Sequence, residues 1–155
     1  MQIAIGSDHA GFDLKEDIAG LLKSLNIEYI DCGTSNRDSV DYPDFGGKVS
    51  GLVSKGEVDK GILICGTGIG MSIVANKYPN VRAALCHELF TAKMSRMHND
   101  ANILVIGGRV VGKDLALEMV RIWLNTAFEG NRHLMRINKI KTIEEDLDIN
   151  GTGKS

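Results

Sequence analysis

Apolar positions along this chain follow two alternating rhythms. Gln2 to Gly6 is a short β-branched run that predicts a strand, and from Phe12 to Leu25 the residues Leu14, Ile18, Leu21, Leu22 and Leu25 keep the 3.6-residue period of a helix. Glu28 to Asp31 predicts a second strand, ending in the turn-like CGTSNRDS. A helix follows in which Pro43 takes an early position and Phe45, Val49, Leu52 and Val53 mark the buried side. Gly61 to Cys65 is the most apolar strand, and Gly70 to Lys77 predicts a short helix. Then come a strand from Val81 to Cys86, a helix from Glu88 to His98, a strand from Ile103 to Ile106 and a helix from Lys113 to Thr126.

Strands alternating with helices through the whole chain imply a parallel sheet covered on both faces, an α/β domain. The last apolar stripe, Leu134, Ile137, Ile140 and Ile143, stands apart from that alternation. It predicts a helix over 131–147 that either docks on its own domain or reaches a second copy. We expect one domain over 1–147 and a flexible tail over 148–155.

Composition narrows the classes. At 155 residues, 43% hydrophobic and 25% charged, the chain is that of an ordinary globular domain. A net charge of −2 exerts no overall pull on nucleic acid or a membrane surface. No apolar run is long enough to span a bilayer, and the opening MQIAIGSDHAG lacks the basic start and long apolar stretch of a signal peptide. The three cysteines, Cys32, Cys65 and Cys86, fit no CxxC pattern and are read as reduced thiols in a cytoplasmic enzyme.

Ligands of a parallel sheet collect at the carboxyl ends of its strands. Four polar groups are expected there: Ser7, Asp8 and His9; Cys65 with the glycines that follow; His98 and Asn99; and Gly107, Gly108 and Arg109. Each has a plain alternative, Asp8 as a helix cap and Cys65 as a small buried hydrophobe. The stretch LICGTGIGMS carries the sharpest signal. Its spacing is GxGxG after strand three, not the GxGxxG that opens a dinucleotide-binding domain. Bare backbone at a helix start still turns N–H groups and partial positive charge inward, which suits a phosphate or a developing oxyanion. Those same dipoles would support a thiolate on Cys65.

Other motifs recede. The terminal NGTGKS resembles a phosphate-binding loop, but Asp148 stands where the first glycine belongs. His9, His87, His98 and His133 lie far apart with no HxxxH or HExxH pairing, so no metal site is expected. Arg132 and Arg136 share one helical face, suited to a phosphate if it is not simply a solvated basic face.

Taken together, GSDHAG (6–11), DYPDF (41–45), ICGTGIGMSIVANK (64–77), HND (98–100), GGRVVG (107–112) and EGNRHLMR (129–136) resemble, in the same order, the type B ribose-5-phosphate isomerases of the ribose/galactose isomerase family. The resemblance runs from Met1 to about Glu145. It implies a three-layer α/β/α, Rossmann-like fold with a five-stranded parallel sheet of order 2-1-3-5-4. It also implies a homodimer, or a dimer of dimers, whose active sites draw on both chains. The implied reaction interconverts ribose 5-phosphate and ribulose 5-phosphate through a cis-enediolate, a step of the pentose phosphate pathway. No cofactor is implied.

By the same resemblance Cys65 is the base that moves a proton between C1 and C2. Thr67 and the amides of Gly66, Gly68, Ile69 and Gly70 hold the enediolate, and His98 opens the furanose ring. Asp8, Tyr42 and Asn99 bind sugar hydroxyls, while His9, Arg109, Arg132 and Arg136 gather the phosphate. A branch of the family uses a glutamate where this chain has Met71; Cys65 places the chain in the cysteine branch. The nearest alternative is the same chemistry on a six-carbon substrate, allose or galactose 6-phosphate. A Cys65–His98 acyl-transfer enzyme and a non-catalytic nucleotide-binding module are the alternatives of other classes.

Overall fold

The computed structural model describes residues 1–151, with side chains for 1–148. Its elements run β1 (Gln2–Ser7), α1 (Phe12–Ser24), β2 (Glu28–Asp31), α2 (Tyr42–Ser54), β3 (Lys60–Cys65), α3 (Ile69–Ala75), β4 (Ala83–Leu85), α4 (Leu89–Met97), β5 (Ile103–Gly107), α5 (Lys113–Asn125) and α6 (Asn131–Gly151). The strands form one all-parallel sheet of order β2-β1-β3-β5-β4, as the resemblance implies.

Side-chain parity explains why the three central strands read as unbroken apolar runs. In β1, Ile3 and Ile5 enter the core on one face while Ala4 enters that on the other; in β3, Ile62 and Ile64 alternate with Leu63 and Cys65. The first face is covered by α1 and α5, with α4 packed against α5, around Ile18, Leu22, Met119 and Trp123. The second is covered by α2 and α3 through Val49, Val53, Met71 and Ala75. Each fully buried isoleucine or leucine of these layers contributes about 1.5–3 kcal/mol by leaving water.

The shorter elements differ from expectation at their ends. β4 begins at Ala83, because the Val81 N–H closes a turn on the Tyr78 carbonyl and the Arg82 N–H goes to the side chain of Asn102. α3 stops at Ala75, after which Lys77 and Tyr78 donate into tight turns on Val74 and Ala75. α6 continues past Leu147 to Gly151, so the first part of the expected tail is helical and 152–155 lie outside the described residues.

α6 divides its apolar stripe. Ile137 and Ile140 lie against Asn80, Val81 and Arg82, and the Glu144 carboxylate accepts the Asn80 N–H at 3.0 Å. Ile143 and Leu147 continue that line beside Asn76, Lys77 and Pro79, yet Ile140, Ile143 and Leu147, together with Leu134 and Met135, are each about half or more exposed.

Candidate active site

Sheet register assembles one group of side chains at the carboxyl edge. Cys65 ends β3 beside Gly107, which ends β5, and β1 ends next to β3 at Ser7. Beyond Ser7 the chain turns through a short 3-10 turn, His9–Gly11. Buried Asp8 caps it by accepting the N–H groups of Ala10 and Gly11 at 3.0 and 3.1 Å. His9 Nδ1 accepts the Val40 N–H at 3.2 Å, which leaves Nε2 to carry the ring's proton.

The glycine loop is folded around sulfur. Cys65 is nearly buried, and its Sγ accepts the Gly68 N–H at 3.2 Å. Gly68 can make that approach because it holds φ at 79°, a left-handed conformation that favours glycine. The Ile69 N–H donates to Oγ1 of Thr67 at 3.3 Å. Two of the loop amides expected to face substrate are therefore turned on Cys65 and Thr67 in this state.

Tyr42 lies on the backbone of Gly70, where an added Cβ would be 2.6 Å from its ring. Arg109 lies against Gly66, whose carbonyl accepts the Arg109 N–H at 2.9 Å. Asp8, His9, Tyr42, Cys65 to Gly70 and Arg109 thus share one edge. Close packing of the glycines is testable. A Cβ on Gly107 would sit 2.7 Å from the Thr67 carbonyl oxygen, so Gly107→Ala should cost about 1–3 kcal/mol in denaturant unfolding. Gly112→Ala, where a Cβ meets nothing within 4 Å, should leave stability unchanged or slightly higher.

His98 and Asn99 are elsewhere, and here the expectation of four groups on one edge is overturned. A helix that follows a parallel strand runs back along the sheet, so the end of α4 arrives at the amino edge. Arg82, just before β4, fastens that end by bonding the Asn99 and Asp100 carbonyls at 2.9–3.1 Å, and Arg96 holds the Asp100 carboxylate at 2.8 Å. Asn102, two positions on, accepts the Gly61 N–H at 2.9 Å. From Gly61 to Cys65 the strand rises roughly 13 Å at ~3.3 Å per residue. Within one chain, therefore, Cys65 and His98 lie toward opposite edges of the sheet.

What surrounds His98 is a second group. Its ring stacks on that of His133 at 4.3 Å between centroids and 11° between planes. The Glu129 carboxylate lies 3.8 Å from His98 Nε2 and 3.6 Å from His133 Nε2. His133 opens α6 together with Arg132 and Arg136, both exposed. Burial, then the neighbouring His98 ring, pushes the His133 imidazole below its ordinary range.

Among the described residues, His98, Glu129 and His133 are the one group of three such donors, all within 4.8 Å, that could hold a metal ion. Stacked, nearly parallel rings keep their in-plane lone pairs in separate planes, so one ion cannot lie in the plane of both, and this arrangement suits hydrogen bonding to the carboxylate better than ligation. Sequence spacing did not reveal the pairing, although both histidines fall within motifs singled out above. The candidate residues thus fall into two groups: one at the carboxyl edge, with the thiol and the glycine loop, and one at the amino edge, with the imidazoles and exposed arginines.

Comparison with known proteins places this geometry. The family model for Ribose/Galactose Isomerase matches residues 3–140. Ribose-5-phosphate isomerase B of Escherichia coli is 48% identical over 144 residues, 93% of this chain and 97% of the relative. The solved ribose-5-phosphate isomerase B of Clostridium thermocellum superposes with a TM-score of 0.93 at 56% identity, covering 95% of this chain and 99% of that one. A structure of the Mycoplasma genitalium enzyme with bound ribulose 5-phosphate superposes with a TM-score of 0.90 at 40% identity, covering 93% and 96%.

Proposed function

The chain belongs to the ribose/galactose isomerase family, and from that premise we propose that it interconverts ribose 5-phosphate and ribulose 5-phosphate with Cys65 as the base. The observation that carries the assignment of the base is the Gly68 N–H on the Cys65 sulfur, at the mouth of a loop of bare backbone. An N–H aimed at sulfur supports negative charge there. A thiolate at that point takes the C2 proton of the open aldose. The charge that develops on the sugar oxygens is met by the loop amides and Thr67, the hydroxyl proton passes from O2 to O1, and the abstracted proton returns to C1 to give the ketose. Asp8 and Tyr42, beside the loop, orient the sugar hydroxyls, as does Asn99 from the amino-edge group. His9 and Arg109 gather the phosphate with Arg132 and Arg136.

Ring opening is assigned to His98. The imidazole takes the anomeric hydroxyl proton while the C1–O4 bond breaks, and a proton is handed to the departing ring oxygen. His98→Asn should slow turnover of cyclic ribose 5-phosphate on the order of 10²-fold. It should leave erythrose 4-phosphate, whose esterified O4 cannot close the ring, within about twofold of wild type. Equal losses on both substrates, read in steady-state assays, would move His98 to another step.

Since the two groups lie on opposite edges of one sheet, the working site is proposed to combine one from each of two chains. A homodimer, alone or in a dimer of dimers, supplies this arrangement. The exposed Leu134, Met135, Ile143 and Leu147 of α6 support a partner there, because apolar area left open on a helix is an interface signal. We place the enzyme in the cytoplasm, which the three free thiols support. No helix among the described residues is long and apolar enough to cross a membrane.

Parallel assays of ribose 5-phosphate, allose 6-phosphate and galactose 6-phosphate test the substrate. The pentose should give the highest kcat/KM, and a preference for either hexose would replace this reading with its six-carbon counterpart. The relatives named ribose-5-phosphate isomerase B favour the pentose.

A further inference from the structure

We propose that Glu129 is the positioning residue for His98, taking the Nε2–H of that imidazole and leaving Nδ1 as the nitrogen that meets the sugar. The inference rests on the ring-opening role given to His98 above. It begins with the backbone. The Glu129 N–H donates to the Met97 carbonyl at 3.0 Å, and the next two residues, Gly130 and Asn131, hold φ at 72° and 48°. This left-handed pair folds the connection from α5 to α6 back over the end of α4, so that the Glu129 side chain faces the histidines instead of following the chain outward.

The carboxylate then faces the same nitrogen on both rings, 3.8 Å from Nε2 of His98 and 3.6 Å from Nε2 of His133. Both separations close to a hydrogen bond with a small turn of an exposed glutamate, as resting sites often require. A neutral imidazole has one N–H and one lone pair, and a carboxylate beside one nitrogen draws the proton to it. Stacking with His133 closes one face of the His98 ring and so limits its rotation.

The charged and titratable groups that face this pair are Glu129 from the connection, and Arg132 and Arg136 from α6. Burial first, then the His98 ring and the two arginines, push the His133 imidazole below its ordinary range against the opposing pull of Glu129, and a second positive charge beside His98 is thereby disfavoured. His133 Nε2 is buried without a hydrogen-bond partner, and Glu129 is the carboxylate within reach of it.

The test uses the intact chain with Glu129→Gln and Glu129→Asp. Glu129→Gln should lower kcat for ribose 5-phosphate on the order of 10- to 100-fold with KM within about twofold, since it keeps size but loses the negative charge, and its amide can offer Nε2 a donor as readily as an acceptor, so it no longer selects the tautomer. Erythrose 4-phosphate turnover should stay within about twofold of wild type. Glu129→Asp, which keeps the carboxylate, should return kcat toward wild type.

Nitrogen-15 NMR of the His98 ring reads the tautomer directly. We expect Nε2–H in the wild type and a shift toward Nδ1–H in Glu129→Gln. An Nδ1–H tautomer in the wild type, equal losses on both substrates, or no loss on either would overturn the assignment. A wild-type chain that turns over neither sugar would sink the isomerase reading itself, while the NMR tautomer would still decide where Glu129 puts the proton.

Discussion

Cys65→Ser should lower isomerase turnover on the order of 10³-fold or more while leaving substrate affinity within a few-fold, because a hydroxyl near neutral pH cannot take a carbon-bound proton. The exchange removes little volume from a nearly buried position at the end of β3. The groups that bind sugar and phosphate are unchanged: the loop amides, Tyr42 over Gly70 and Arg109 over Gly66. Isotope exchange between C2 of the sugar and solvent should disappear in parallel with turnover, since it reports the same proton abstraction. The measurement is kcat together with product-analogue affinity by calorimetry. Near wild-type turnover would remove Cys65 from the role of base, and a loss confined to binding would make it a contact only.

Mixing inactive chains tests the division of the site, and the sign of the result depends on which half each lesion strikes. Cys65→Ser damages the carboxyl-edge half, whereas His98→Asn and Arg132→Ala/Arg136→Ala both damage the amino-edge half. With random re-pairing, about half of the dimers are mixed. In a mixed dimer of Cys65→Ser with either amino-edge variant, one site carries both lesions and the other carries none, so roughly a quarter of wild-type sites should return, by the symmetry of a two-fold dimer. Mixing His98→Asn with Arg132→Ala/Arg136→Ala should restore nothing, since every site then receives a damaged amino-edge half. Exchange is confirmed by mass and recovery by assay on ribose 5-phosphate. No recovery with Cys65→Ser as partner would place both halves of each site in one chain. Recovery with the arginine variant alone would put His98 beside the Cys65 of its own chain, against the roughly 13 Å that the strand imposes.

Much of this protein was legible as a string. The alternation of β-branched runs with 3.6-residue stripes determined an α/β domain, because a strand buried on both faces must be apolar at every position, as GILIC in β3 is. The ordered blocks around Asp8, Cys65 and Arg109 pointed to one carboxyl edge, and β1, β3 and β5 do end there together. Local chemistry was equally readable: glycines next to a thiol allow backbone N–H groups to approach sulfur closely, and Gly68 does so. What sequence could not decide was where a helix end falls relative to a strand end. His98 reads as the neighbour of a site strand, yet α4 carries it to the opposite edge, and there it meets Glu129 and His133 from a distant part of the chain. That meeting depends on the turn in which Arg82 and Arg96 hold the residues after α4, and on the left-handed pair Gly130–Asn131. Periodicity reports which face of an element is apolar, whereas the direction in which a helix crosses a sheet, and the contacts its end then makes, follow from connection handedness and packing, so only the tertiary structure settles them.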